Sequence, residues 1–112
     1  MASWNLTDQI WHIWPRQPIG ILEIIGGSYL ASSPNITYSR LLESLANLGF
    51  AIHAWKYIPN FDHHLQASHA CKDFRECRKR LQSLKGQLPD SVRIGHSLGC
   101  KLHLLAPDGG RN

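Results

Sequence analysis

One serine, Ser97, lies in the pentapeptide Gly95-His96-Ser97-Leu98-Gly99, a spacing typical of a serine nucleophile. A β-type run precedes this motif and a helix-like pattern follows it, so we predict the sharp strand-to-helix turn called a nucleophile elbow. Such a turn holds the serine at strained backbone angles, and glycines flank it because any Cβ there would collide with the neighbouring strand or helix. A chance Gly-x-Ser-x-Gly is common, but the predicted flanking elements favour an elbow whose exposed hydroxyl attacks a carbonyl carbon.

Attack by Ser97 requires hydrogen-bond donors for the oxyanion that forms, where a missing donor costs roughly 3 kcal/mol of barrier. The backbone N–H of Leu98, in the first helical turn, is the first candidate. A second candidate lies in the loop Gly26-Gly27-Ser28, which follows a predicted strand and should reach the same edge of the sheet. We expect Gly27 or Ser28 to supply this donor; the alternative is that the two glycines simply turn the chain.

A serine nucleophile of this type takes its catalytic acid and histidine from strands that follow the elbow. Only thirteen residues follow Gly99, and they contain one histidine, His103, and one acidic side chain, Asp108. Both are in the wrong chain order and too near the elbow to reach its hydroxyl. We therefore expect the acid and the histidine to be missing, and this chain to be the N-terminal half of an enzyme fold, inactive or nearly so by itself.

Strand and helix patterns alternate along the chain and should position these groups. Residues 4–14 are compatible with one or two short edge strands, residues 18–25 form an almost continuous aliphatic run, and the helix pattern of 35–48 has Asn35 or Thr37 near its start and Gly49 after its end. The remaining predictions are a strand at 50–55, a helix at 61–85, a strand at 91–94 and the elbow helix.

This order predicts an α/β fold with right-handed crossovers, in three layers around a mostly parallel sheet, truncated after the elbow helix. We expect residues 1–112 to be one incomplete domain. It divides into an edge-strand region at 1–17, a βαβαβ core with the elbow at 18–105, and a tail at 106–112.

Several function classes are disfavoured by composition and spacing. The net charge of +4 comes largely from one basic helix, which is usually a solvated face, and no aromatic platform or nucleic-acid motif accompanies it. His63, His64 and His69 lie near Asp62, but their spacing is not that of a metal site, so we predict no metal and no cofactor. His53 and His96 are interpreted as structural rather than as the general base.

Targeting signals are not recognisable. No window approaches the ~20 apolar residues of a membrane span, and the N-terminus has neither the basic nor the apolar region of a signal peptide. The three cysteines lack CxxC spacing, which favours reduced thiols. A cytoplasmic protein is expected, and its oligomeric state stays open.

Three segments carry a resemblance to a known family: the stretch from Gly26 to Trp55, the triplet Phe61-Asp62-His63, and GHSLGCKLHLLAPDGGRN at the end of the chain. From about Pro18 onward, the chain resembles an uncharacterised α/β-hydrolase-like family of cyanobacteria and plastids, catalogued as domain of unknown function 1350. The resemblance implies a single-domain α/β hydrolase of roughly twice this length, with the nucleophile at Ser97 and the oxyanion loop at Gly26-Gly27. It implies no substrate, because the family has no assigned reaction.

Two hypotheses follow. In the first, the complete parent protein is a serine hydrolase or acyltransferase acting on a small ester or thioester through Ser97. In the second, the elbow is a structural relic in a non-catalytic module that binds a lipid, a pigment or a protein through its open sheet edge or its basic helix.

Overall fold

A computed structural model describes residues 4–27, residue 34 and residues 38–106. Strands and helices alternate through these residues. The elements are β1 (Asn5–Thr7), β2 (Ile10–Ile13), β3 (Gly20–Ile25), α1 (Ser39–Asn47), β4 (Phe50–Trp55), α2 (His63–Lys85), β5 (Ser91–Gly95) and α3 (Leu98–Leu105).

The strands form one sheet in the order β1-β2-β4-β3-β5. The central strand β3 is parallel to both of its neighbours, β4 and β5, whereas β2 is antiparallel to β4 and to β1. The α/β class is therefore confirmed, and four of the five described strands run in the same direction, as expected of a mostly parallel sheet; β2 alone runs the opposite way. The N-terminal segment forms the hairpin β1-β2, in which β1 lies at the sheet edge and β2 lies inside the sheet.

Helices cover both faces of the sheet. On one face α1 buries Leu42 and Ala46 against a cluster that includes Ile24 and Ile52. On the other face α2 and α3 pack together, with Phe74 and Leu102 in one cluster. All six residues of β3 are buried, as expected of a strand covered on both sides. The described part of the chain thus has helix, sheet and helix layers.

The ends of the helices follow local capping chemistry. The Asp62 side chain accepts a hydrogen bond from the Leu65 N–H at 3.0 Å, so α2 begins two residues later than the pattern predicts. Gly49 follows the last residues of α1 with φ +111°, a conformation that glycine adopts without strain. The predicted capping residues Asn35 and Thr37 lie outside the described residues.

A row of ionisable side chains crosses the sheet beneath α2. His12, His53 and Glu23 are register partners on three adjacent strands, and all three are buried. Glu23 forms a salt bridge with Arg78 of α2. His53 Nε2 accepts a hydrogen bond from the Trp14 indole N–H at 2.9 Å. Burial, followed by the positive groups around it, lowers the pKa of His53 to about 3.

Acid should unfold the protein because two buried histidines stay neutral in the folded state. Burial also lowers the pKa of His103 to about 4, from an ordinary value of 6.5. Below pH 6.5 the unfolded chain binds protons that folded His53 and His103 do not bind, so stability falls as the pH drops from about 6.5 toward 4.

Urea unfolding at a series of pH values measures this loss. His103→Gln, whose amide can still donate to the Glu23 carbonyl, should weaken the pH dependence in that range, and the same change at exposed His64 is the matched control for the loss of a histidine. Equal pH dependence in His103→Gln and the unsubstituted protein would contradict this account.

Candidate functional site

The turn between β5 and α3 holds Ser97 in a strained conformation. Its φ of 59° and ψ of −121° lie in a region that residues other than glycine rarely adopt. The turn is fixed from both sides, because the His96 N–H donates to the Ile25 carbonyl at 3.1 Å and the Cys100 N–H donates to the Ser97 carbonyl at 3.0 Å. Ser97 is exposed to solvent at the edge of the sheet.

Two glycines permit this close turn. A Cβ at Gly99 would lie 1.9 Å from the Ile25 carbonyl oxygen, and a Cβ at Gly95 would lie 2.6 Å from the Cys100 backbone. Both distances are far below van der Waals contact with backbone atoms that have little freedom to shift. Helix α3 therefore packs against the end of β3 at a distance that only glycine allows.

The loop after β3 meets this turn. Since β3 and β5 are parallel neighbours, Ile25 and Gly95 are register partners and their carboxyl ends lie side by side. A Cβ placed on Gly27 would lie 3.2 Å from Ser97 Cβ and 3.4 Å from His96 Nδ1. Gly27 and Ser97, which are seventy residues apart in the sequence, are thus brought into direct contact.

Tyr57 orients the peptide between Gly26 and Gly27. Its hydroxyl donates to the Gly26 carbonyl at 2.6 Å, and burial raises the pKa of this phenol to about 12, which keeps the donor protonated. In a trans peptide the C=O and the N–H point in opposite directions. Anchoring the Gly26 carbonyl in the core therefore turns the Gly27 N–H away from the core.

Tyr38 accepts a hydrogen bond from that N–H. The Gly27 N–H donates to Tyr38 Oη at 3.2 Å, and the same oxygen lies 3.0 Å from His96 Nδ1. The Tyr38 ring occupies the space beside Gly26, where a Cβ would lie 2.8 Å from its Cε2. A phenol hydroxyl is thus held by groups at the ends of β3 and β5, beside Gly27 and His96, which both adjoin Ser97.

Of the predicted donors, Leu98 and Gly27 are both at this turn. The Gly99 and Cys100 N–H groups donate the hydrogen bonds of the first helical turn. The Leu98 N–H has no acceptor within the described part of the chain. The other predicted donor, Ser28, lies outside the described residues.

No acid–histidine pair accompanies Ser97 among residues 4–27, 34 and 38–106. In that part of the chain the histidine side chains form hydrogen bonds with Thr7, Trp14, Tyr38 and the Glu23 carbonyl, and none of these bonds involves a carboxylate oxygen or Ser97. His103 is buried under Phe74, facing the core rather than the turn. Asp108 lies outside the described residues.

Sequence reasoning missed Tyr38 and Tyr57 as parts of this site. The sequence pattern indicated only that Tyr38 is an apolar position in a helix, and it indicated no role for Tyr57. Their contacts join residues 58 and 31 positions apart, respectively, so no local pattern could have found them.

The remaining sequence motifs do not converge on this edge. Among the described residues, no three histidine, cysteine, aspartate or glutamate side chains are close enough to hold a metal ion. None of the three cysteines is in a disulfide. Within the same part of the chain, no helix has the length and apolar character needed to cross a bilayer.

Comparison with known proteins gives one match. A family model described as a protein of unknown function (DUF1350) matches residues 3–108. No curated protein and no solved structure matches the chain.

Proposed function

The chain belongs to the DUF1350 family, whose description names no reaction, and we propose from the geometry at Ser97 that it carries the nucleophile half of an α/β-hydrolase-type serine hydrolase. The substrate class is a small ester or thioester, cleaved by hydrolysis or transferred to another acceptor. The observation that carries the proposal is the backbone of Ser97, with φ 59° between strand β5 and helix α3. Strained residues of this kind cluster at active sites, ligand clamps and switch regions.

The chemistry would proceed by acyl transfer. Ser97 Oγ attacks the carbonyl carbon, its proton passes to a general base, and the carbonyl electron pair moves onto oxygen. The Leu98 N–H, at the start of α3, is positioned to donate to that oxygen, and the positive end of the helix stabilises the charge. Collapse of the intermediate expels the alcohol or thiol and leaves an acyl group on Ser97.

The general base and its acid partner are proposed to come from elsewhere than the described residues, since no described histidine forms a hydrogen bond with Ser97 or with a carboxylate. The 112-residue chain alone should then turn over slowly or not at all. Added imidazole should replace part of the missing function, because a positioned base contributes roughly 100-fold or more to such reactions.

Acetylation of Ser97 by p-nitrophenyl acetate tests the proposal. We expect an acetyl group on the Ser97 peptide by mass spectrometry, forming faster as imidazole is added and absent in Ser97→Ala. Ser83, an exposed serine of α2, serves as the internal reference in the same digest. Acetylation of Ser97 no faster than that of Ser83 in the folded chain would refute the assignment.

A non-catalytic interaction module is the second candidate, and one observation favours it. Strand β5 ends the sheet order, and on the face away from α2 its Val92 and Ile94 side chains are 54% and 38% exposed. An edge strand with an open apolar face can pair with another chain. A folded chain whose Ser97 is unreactive would support this candidate over the enzyme.

A cytoplasmic location is part of the same proposal. It is supported by three cysteines that form no disulfide.

A further inference from the structure

The Tyr38 hydroxyl occupies the place that an acyl oxygen would take if the Gly27 N–H faced the substrate. The Gly27 N–H is already directed to Tyr38 Oη at 3.2 Å. The donor that the sequence predicted on the β3 side of the site, the Gly27 N–H, therefore already has an acceptor within the protein. Any oxygen of a substrate at this position meets the phenol first.

The phenol is built into the site. Its ring lies against the bare Cα of Gly26, where even a methyl group would be 2.8 Å from Cε2. Its oxygen is bracketed by the Gly27 N–H and by His96 Nδ1 at 3.0 Å, with the two rings edge to face at 6.0 Å. Three contacts from the ends of β3 and β5 hold this hydroxyl beside Gly27 and His96, which both adjoin the strained serine.

We propose that the Tyr38 O–H, rather than the Gly27 N–H, is the second oxyanion donor, an inference that rests on the proposed function of Ser97. With His96 protonated on Nδ1, the Gly27 N–H and the His96 N–H fill both lone pairs of Tyr38 Oη. The phenol proton then has no acceptor within the described part of the chain and points to the substrate oxygen. Donation from two groups polarises the phenol and strengthens its own O–H as a donor.

In the reaction with p-nitrophenyl acetate and imidazole, each group has one role. The bond from Ser97 Oγ to the carbonyl carbon forms, the Ser97 proton goes to imidazole, and the carbonyl π pair moves to oxygen, where Tyr38 and Leu98 donate. The electron pair on the oxyanion then re-forms the C=O bond while the C–O bond to p-nitrophenolate breaks, and this leaving group departs with the pair of the broken bond. Tyr38 neither gains nor loses a proton overall.

Tyr38→Phe tests this role. It keeps the ring beside Gly26 and removes only the hydroxyl, so we expect the imidazole-assisted rate of Ser97 acetylation to fall roughly 100-fold. Thr7→Val is the control, because it removes a hydroxyl that hydrogen-bonds to His12 at the opposite edge of the sheet, and it should leave the rate unchanged. Thermal unfolding of both variants shows that each one folds.

His96 gives a second, independent pair of variants. His96→Asn places an amide N–H near the position of Nδ1 and should retain most of the rate of Ser97 acetylation. His96→Leu should lower that rate tenfold or more, because the Tyr38 O–H would then be a weaker donor. His96 acts here as a positioning residue, and rescue by asparagine is a result that a purely structural role would not give.

The outcomes separate this inference from the proposed function. If Ser97 is acetylated at equal rates in the unsubstituted chain and in Tyr38→Phe, the tyrosine donor is refuted while the nucleophile stands. A faster rate in Tyr38→Phe would also overturn it, since the phenol would then be blocking the Gly27 N–H. If Ser97 is not acetylated in the unsubstituted chain, the proposed function itself fails.

Discussion

Gly99→Ala should destabilise the protein by more than about 4 kcal/mol, or prevent folding altogether, since losses of that size arise from steric conflict in a packed interior. The new Cβ would lie 1.9 Å from the Ile25 carbonyl oxygen and 2.9 Å from that of Gly26. Neither atom can shift without moving the end of β3. Relief requires α3 to move away from the sheet, which would separate Ser97 from Gly27.

Gly86→Ala is the matched control for this prediction. Gly86 has φ +87°, so alanine is strained there too, but a Cβ would meet nothing within 4 Å. Backbone strain alone should cost about 1–3 kcal/mol, because φ +87° with ψ −107° is a sparsely populated region for alanine. Urea unfolding of the two variants compares the two costs directly, and equal destabilisation would show that α3 does not pack on β3 as described.

Arg78→Met should destabilise the protein by about 3–5 kcal/mol at neutral pH, because it leaves the Glu23 carboxylate buried without its partner. The two side chains are 12% and 4% exposed, and Glu23 lies on the central strand two residues before the end that supports the site. Burial raises the pKa of Glu23, and Arg78 opposes that rise. Without Arg78 the pKa should rise further.

The stability of Arg78→Met should depend on pH in a defined direction. A carboxyl group with a raised folded pKa favours the protonated state, so stability is lost as the pH rises above its ordinary value of 4.5. Arg78→Met should therefore lose less stability near pH 5 than at pH 7, relative to the unsubstituted protein. Urea unfolding at both pH values measures this difference in the free energy of unfolding.

Arg80→Met is the control for the loss of an arginine from the same helix. Arg80 pairs with Asp8 at 2.9 Å, but their side chains are 47% and 62% exposed, and such a pair contributes at most about 1 kcal/mol. Replacing both members of the buried pair, in Glu23→Leu with Arg78→Met, should restore much of the lost stability. Similar losses at Arg78 and Arg80 would contradict a buried charge pair.

The alternating pattern of the sequence predicted much of the fold for local reasons. The aliphatic run that contains β3 and the strand before the elbow stand out because a strand buried on both faces must be apolar almost throughout. Gly49 was recognisable because the end of α1 needs a residue that tolerates positive φ. These features depend on residues within a few positions of each other.

The features that sequence reasoning missed depend on distant residues. The position of β2 inside the sheet depends on pairing with β4, some forty residues later, and nothing within residues 10–13 specifies that partner. Glu23 interrupts an apolar strand, and its salt bridge with Arg78 spans 55 positions. The contacts of Tyr38 are of the same kind, so a site seen in the sequence as one serine and two glycines contains a phenol.

The most direct test of the account is the rate at which a fluorophosphonate labels Ser97 in the folded chain and in the same chain in urea. Hydrogen exchange should first show slow exchange in β3 and β5, which establishes that the chain is folded. We predict faster labelling of Ser97 than of Ser83 in the folded chain, with the preference lost in urea, because reactivity arises from the turn and its donors. Equal labelling of the two serines in the folded chain would contradict the claim that this turn is a nucleophile site.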